Sequence, residues 1–329
     1  MRAAGVGAEA ARVAVVTSTV GEHEDADLPL IVEALRAAGL DARAVAWDAA
    51  DAQWERYDLA VIRSTWDYAG RLEEFLAWTD AAARVTRLWN PAATVRWNSD
   101  KRYLLELAAR GVPVVPTRFV EPGAPWAEED FEAGRAVVVK PSVSAGARDT
   151  ARYEPGQLAD AARHVRMLRE QGRTAMVQPY LRRVEEGERA LVFFGGAFSH
   201  AIRKGPLLTE PGVVDNARVA HPGVAPYRPT AAELDTARAA LAAVPGPDGP
   251  LFARVDLALG AEGEPVVMEL ELIEPNLFLG TDPHGLGRLV AAVTAAVAGE
   301  PGNPGEAEES ERPAEPGEPG EAVAGEATA

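Results

Sequence analysis

Residues 251–275 read LFARVDLALGAEGEPVVMELELIEP. Two apolar-rich runs, Leu251–Leu259 and Pro265–Leu270, flank the tetrapeptide GAEG, the pattern of two antiparallel strands joined by a tight turn. Side chains two apart on a strand share a face. Glu269 and Glu271 therefore project together, with Met268, Leu270 and Leu272 expected opposite and Pro275 closing the run. Asp256 lies on the neighbouring strand. Three carboxylates converging there repel one another unless a cation sits among them. Hard oxygen donors of this kind suit Mg²⁺, which shares its coordination with nucleotide phosphates and water. A solvent-facing strand edge would give the same alternation, but the acidic row is one-sided, which favours the metal.

Outward from this hairpin, strand-like runs recur at Arg118–Val120, Ala136–Lys140, Ala175–Gln178, Arg189–Phe194 and Phe198–Arg203. Helical patterns cover Gln157–Gln171, Ala231–Ala243 and Leu286–Ala298, so this half is mixed α+β built on antiparallel strands. Nearer the start the rhythm differs. Arg12–Thr17, Asp41–Trp47 and Leu59–Arg63 are strand-like, and Leu28–Ala38 and Leu72–Val85 helical, an order that predicts an open parallel α/β sheet. Leu88–Asn90 begins a further strand, and Asp100–Arg110 a helix ended by Gly111.

Other clusters carry chemistry. Lys101 opens a helix, and Lys140 ends the run AVVVKP ahead of the small residues Ser142–Ala147, SVSAGA. An ammonium beside backbone N–H groups that small side chains leave accessible suits a polyphosphate, although a lone strand-terminal lysine is commonly just solvated. Met176–Leu181, MVQPYL, leads a buried strand into a turn able to face an adenine edge, and Glu188 follows ten positions after Gln178, within reach of a ribose. A plain hairpin with a polar loop is the alternative. Arg203, Lys204 and Arg218 could hold a substrate carboxylate or a transferring phosphoryl group, or remain surface cations. Arg63–Tyr68, RSTWDY, lies past a strand's carboxyl end, where open α/β sheets bind ligands. Packing of Trp66 into a domain interface is the competing reading.

The chain has 329 residues, with 33 Lys or Arg against 50 Asp or Glu and a net charge of −17. That length supplies a core without staples, and the absence of cysteine excludes disulfides, thiol catalysis and thiolate zinc. The negative balance argues against nucleic acid and anionic membranes as partners. No apolar run approaches the roughly 18 residues of a membrane span. Met1–Val20 has Ala, Arg and Glu where a signal peptide needs an apolar core, so a cytoplasmic protein is expected. About half of the charge, −8, falls in residues 300–329, which are rich in Glu, Pro and Gly and are expected to be a disordered tail, solvating or partner-docking. His23, His164, His200, His221 and His284 are scattered, and no Ser-His-Asp or Cys-His nucleophile set is indicated.

In their order along the chain these clusters resemble the ATP-grasp superfamily, more closely its glutathione-synthetase-like branch, over residues 10–298. Gln178, Tyr180 and Leu181 precede Gly187–Glu188 with the branch's spacing. Glu269 and Pro275 match its Glu-x-Asn strand with a later proline, but Glu271 replaces the Asn, which leaves metal number and geometry open. The loop Ser142–Thr150, SVSAGARDT, has only Gly146 where the branch is glycine-rich, and Arg148 and Thr150 are expected to compensate. RSTWDY, WNSDKRYLL, SVSAGARDTARY and FFGGAFSHAIRK are also similar to a bacterial group that includes the cyclo-ligase acting on O-ureido-serine in cycloserine biosynthesis.

The resemblance implies an ATP-grasp fold. Residues 1–11 would be a flexible N-terminus, 12–98 the parallel α/β domain, 99–180 a central α+β subdomain, 181–299 a C-terminal α+β subdomain, and 300–329 the tail. It implies an ADP-forming carboxylate–amine ligase using ATP and Mg²⁺, with Mn²⁺ as a substitute. Lys101, Lys140, Ser144, Gly146, Gln178, Tyr180, Leu181 and Glu188 would bind ATP, and Asp256, Glu269 and Glu271 the metal. Arg203, Lys204 and Arg218 would act in catalysis, and Arg63, Thr65, Asp67 and Tyr68 would meet a small amino-acid-like substrate. Homo-oligomers are common among such relatives. The competing classes are a non-catalytic ATP sensor or scaffold with an acidic docking tail, and a two-lobed binding protein of periplasmic type.

Overall fold

The computed structural model describes residues 10–19, 21–217, 221–246 and 249–299. The predicted tail, nearly all of the predicted flexible N-terminus and Arg218 lie outside the described residues.

The first sheet is parallel, as the early alternation predicts. Its elements are β1 (Arg12–Thr17), α1 (Gly21–Glu24), α2 (Asp27–Ala37), β2 (Asp41–Ala46), β3 (Leu59–Ser64), α3 (Leu72–Ala82), β4 (Arg87–Trp89) and α4 (Ala92–Asn98). The strand order is β2-β1-β3-β4. Helix α2 buries Leu28, Ile31, Val32 and Leu35, a spacing that makes one apolar stripe. Its end at Gly39, φ +90°, is a left-handed position that glycine adopts without strain. At Gly21 a Cβ would fall 1.9 Å from the Ser64 carbonyl oxygen, so only glycine lets α1 approach the end of β3.

The next segment holds α5 (Tyr103–Ala109), β5 (Arg118–Val120), β6 (Val137–Pro141), β7 (Ala151–Tyr153), α6 (Leu158–Glu170) and β8 (Ala175–Pro179). Its antiparallel sheet runs β5-β8-β6-β7. The helix expected from Asp100 starts later because the Asp100 carboxylate accepts the Arg102 N–H at 3.0 Å and holds a turn there. The third sheet follows from β9 (Glu188–Phe194), β10 (Ala197–Lys204), β11 (Ala225–Tyr227), α7 (Ala231–Ala242), β12 (Phe252–Leu259) and β13 (Pro265–Glu271), before α8 (Gly285–Ala298). Its order is β11-β10-β9-β12-β13, antiparallel throughout.

The quoted hairpin is β12–β13. Asp256 pairs with Glu269, yet Leu257 pairs with Val267, so Met268 is the extra residue of a bulge. That bulge overturns one expectation: Met268 lines the same cavity as Glu269 and packs near Leu181 and Val184 instead of pointing away.

Cores are shared between sheets. One joins Val13, Val15, Leu28 and Val61 to Phe252, Leu277, Leu289 and Val293, so the last helix covers the first sheet. Another sets Tyr103, Leu104 and Leu107 of α5 against Leu191, Val255 and Leu270 of the third sheet. Buried amides tie the same junction. Asn98 donates to Leu270 O at 2.7 Å and accepts from Leu272 N at 2.8 Å, while Asn90 donates to Phe252 O and Leu272 O. The bonds to Leu270 and Leu272 satisfy main-chain groups at the end of β13, and the bond to Phe252 does so at the start of β12.

Candidate active site

A cavity of about 650 Å³ opens where the three sheets meet. Its floor is the carboxylate face of β12 and β13, its far wall the loop after β6, and one side the loop after β3.

The floor is a lattice of alternating charge. Arg254, two residues before Asp256 and so on the same face, is 2% exposed. Its Nε donates to Asp256 Oδ1 at 2.8 Å, Nη2 also binds Glu271, and Nη1 donates to Asn276 O at 3.0 Å. Lys204 Nζ lies 2.6 Å from Asp256 and 2.7 Å from Glu188. Lys101 Nζ lies 3.2 Å from Glu269 and donates to Ser144 O at 2.9 Å. Burial raises the pKa of Asp256, but the cations Arg254 and Lys204 outweigh it and hold the carboxyl well below the usual carboxylate range. Burial pushes Glu271 the other way against the pull of Arg254, and repulsion from Asp256 and Glu269 adds to the rise. Lys140 is lowered, chiefly by burial, and Lys101 adds to this while Glu269 opposes it. Glu274, on the segment after β13, is raised well above normal by burial and by Glu271.

Among the described residues no three acidic or histidine side chains are gathered to hold a metal ion. Each expected ligand is bound to a cation instead. The donor set still fits Mg²⁺. Glu269 and Glu271 are oxygen donors on one strand face beside Asp256, and a magnesium ion that shares phosphates needs only one or two protein carboxylates.

Along the wall, Ser144, Gly146, Arg148 and Thr150 face the cavity with Lys140. Gly146, Ala147 and Asp149 have φ of 62°, 56° and 52°, left-handed positions that fold this loop tightly at the cavity edge. The loop after β10 latches onto this one: Asp149 N donates to Asn216 Oδ1 at 2.8 Å, and Asn216 Nδ2 returns a bond to Asp149 Oδ1 at 2.9 Å. Gln178, Tyr180 and Leu181 also line the cavity, but Gln178 Nε2 is spent on Thr117 Oγ1 at 2.9 Å, and Tyr180 carries the Arg152 guanidinium 4.6 Å from its ring. These two side chains therefore hold the hinge in shape, and the Tyr180 N–H is bonded to Ala136 O at 2.8 Å. Gly187 precedes Glu188 at φ +101°, and a Cβ there would meet Arg203 Cγ at 2.6 Å.

The predicted substrate segment divides by residue. Trp66 and Tyr68 line the cavity, whereas Arg63, Thr65 and Asp67 do not. Arg63 is 4% exposed and bound to Asp25 at 2.9 Å, to Asp27 at 3.4 Å and to Pro275 O at 2.5 Å. Asp67 accepts from Trp47 Nε1 at 3.1 Å and pairs with Arg71. Of the predicted cations, Lys204 is in the cavity, while Arg203 is exposed and off its lining. Sequence reasoning did not single out His221, Glu274 or Asn276, which also face the cavity. The first lies in an irregular loop, with no periodicity to flag it. The other two flank Pro275, just past the strand.

Comparison with known proteins resolves the family. A family model described as D-cycloserine synthetase DcsG, N-terminal domain, matches residues 13–90. The cycloserine biosynthesis protein DcsG of Streptomyces lavendulae is 41% identical over 293 residues, which are 85% of this chain and 97% of that protein. The chain belongs to the DcsG family of ATP-grasp ligases. The crystal structure of D-cycloserine synthetase DcsG superposes with a TM-score of 0.80 at 38% identity, over 87% of this chain and 99% of that one. The D-alanine–D-alanine ligase of Bacillus anthracis shares the fold alone, with a TM-score of 0.62 at 14% identity, over 88% of this chain and 98% of that one. This protein is thus an ATP-dependent carboxylate–amine ligase with the ATP-grasp fold, a fold whose solved members include complexes with ATP and with Mg and ADP. No helix among its described residues is long and apolar enough to cross a membrane.

Proposed function

We propose that this ligase activates the carboxylate of a small amino-acid-like substrate as an acyl phosphate and joins it to a nitrogen nucleophile within the same molecule. The lattice of Arg254, Lys204, Lys101 and Lys140 around Asp256, Glu269 and Glu271, on one cavity floor, carries the reading. Likeness to a cycloserine synthetase points to a ring as product and to O-ureido-serine as the substrate to test first.

In this reading a substrate carboxylate oxygen attacks the γ-phosphorus and ADP leaves. The nitrogen then attacks the acyl carbon, inorganic phosphate leaves, and the nitrogen loses its proton. Lys101, Lys140, Ser144 and Gly146 face the phosphates, the Gln178–Leu181 hinge and Glu188 face the nucleoside, and Arg254 and Lys204 face charge that develops on the acyl phosphate. Mg²⁺, or Mn²⁺ in its place, would be held by Glu269 and Glu271 with Asp256 and would neutralise phosphate charge. His221 stays neutral, its pKa lowered to about 3 by burial and then by Arg254 and Lys204, so it does not compete with those cations for the phosphates.

The test is ADP release from Mg·ATP across amino acids and their ureido and aminooxy derivatives, with mass spectrometry of products. ADP formation with a dehydrated or cyclised product supports the reading. Nucleotide binding without ADP release from any of them overturns it and marks a sensor.

A further inference from the structure

The acyl-phosphate chemistry leaves one cavity acid without a task. Glu274 is half-buried and lines the cavity, and among the described residues its carboxylate makes no hydrogen bond or ion pair. Its neighbours all have counter-charges: Lys101 binds Glu269, Lys204 binds Asp256 and Glu188, and Arg254 binds Asp256 and Glu271. Nor does it belong to the metal row. Strand β13 ends at Glu271, and the buried Leu272 and Ile273 carry the chain off that face.

Its backbone is held in place. Glu274 O accepts the Trp66 indole N–H at 3.2 Å, and the next carbonyl, Pro275 O, accepts Arg63 Nη1 at 2.5 Å. Two residues of the first unit thus clamp the peptide that carries the acid, and Trp66 and Tyr68 supply aromatic surface to the same cavity.

We propose that Glu274 is the acceptor for the substrate's own cation, the α-ammonium of an amino acid. The assignment rests on the ligase reading and adds the residue that selects the substrate's amino group. A half-buried carboxylate with no protein partner is compensated when the ligand brings the positive charge. Aromatic faces beside it suit an ammonium as well. Three residues past Glu271 is at most about 10 Å at about 3.3 Å per residue, which keeps Glu274 close to the acidic row. An amino acid carries carboxylate and ammonium on one carbon, so one group reaches the phosphoryl end while the other meets Glu274. Glu24, the other acid on this side, is exposed at the rim and less suited to select a charge.

Binding is measured with saturating Mg²⁺ and a non-hydrolysable ATP analogue, using O-ureido-serine and 3-(ureidooxy)propanoate, the same molecule without its amino group. Wild-type protein is expected to prefer the amino acid at least tenfold, on the order of one charged hydrogen bond. Glu274→Gln should weaken the amino acid about 10- to 100-fold, leave the des-amino ligand within about threefold, and erase the preference. Glu24→Gln should change neither by more than about threefold. An unchanged nucleotide-induced rise in melting temperature shows that each variant is folded. Equal weakening of both ligands, a raised Mg²⁺ requirement in Glu274→Gln, or a loss carried by Glu24→Gln overturns the assignment while leaving the ligase reading intact. Failure of the wild type to bind either ligand, together with no ADP release, overturns both.

Discussion

Two buried arginines, one at each end of the junction between first and third sheets, show how the same chemistry serves different ends. Arg63 leaves β3 and Arg254 sits in β12. They are 4% and 2% exposed, each grips carboxylates, and each caps a carbonyl of the segment 275–276. Arg63 faces Asp25 and Asp27 in a closed contact outside the cavity lining. Arg254 faces Asp256 and Glu271 on the cavity floor, with cations on both sides. Ion pairing alone does not mark a site. What separates the two is access to empty volume and an excess of charge that one pair cannot settle.

The comparison breaks most sharply through activity. Arg254→Met should lower kcat/KM for ADP release by about 10³, the scale of losing a preorganised charge at a developing anion. A loss below tenfold would make Arg254 a second Arg63. Next in size, Arg63→Met should cost about 3–5 kcal/mol in urea unfolding, because Asp25 stays buried without its partner. The double change Arg63→Met with Asp25→Leu should recover most of that loss. If the single change instead abolishes turnover at full stability, the closed contact is catalytic after all. Gly187→Ala should follow at about 1–3 kcal/mol, since the new methyl meets Arg203 Cγ at 2.6 Å and φ stays positive. A shift of Glu188 would show as weaker nucleotide binding by calorimetry.

A smaller effect tests a titrating group remote from both arginines. Burial lowers the His164 pKa, and its Nδ1 lies 3.0 Å from the Tyr153 hydroxyl. The folded state thus prefers neutral imidazole, and the stability this contributes is full above pH 6.5 and is lost as pH falls below it toward the folded value. His164→Gln should flatten that acid limb of the unfolding midpoint against pH. The exposed pair Arg96–Asp80 should register least, about 0–1 kcal/mol on Arg96→Ala, despite a 2.5 Å separation.

The hairpin 251–271 was legible because period-two alternation and a Gly-bounded turn have one common solution. The bulge at Met268 was not, since the alternation Met268–Leu272 runs unbroken through it while the extra residue reverses the side chains before it. Strand-end logic located RSTWDY but could not say that Trp66 and Tyr68 face the cavity while Arg63, Thr65 and Asp67 turn elsewhere. That division is set by Asp25, Trp47 and Pro275, which are remote in sequence or lie in another unit. Lys101 and Lys140 were readable as separate cations. Their convergence near Glu269 depends on three sheets closing together, which no local pattern encodes.

Helix α8 lays Leu289 and Val293 over Val15, Leu35 and Val61. A nascent chain emerging N-terminus first would therefore complete its parallel sheet early and then wait, with one greasy side uncovered, until some 200 further residues had been made. That interval of uncovered apolar surface is when aggregation competes most with the folding of this ligase.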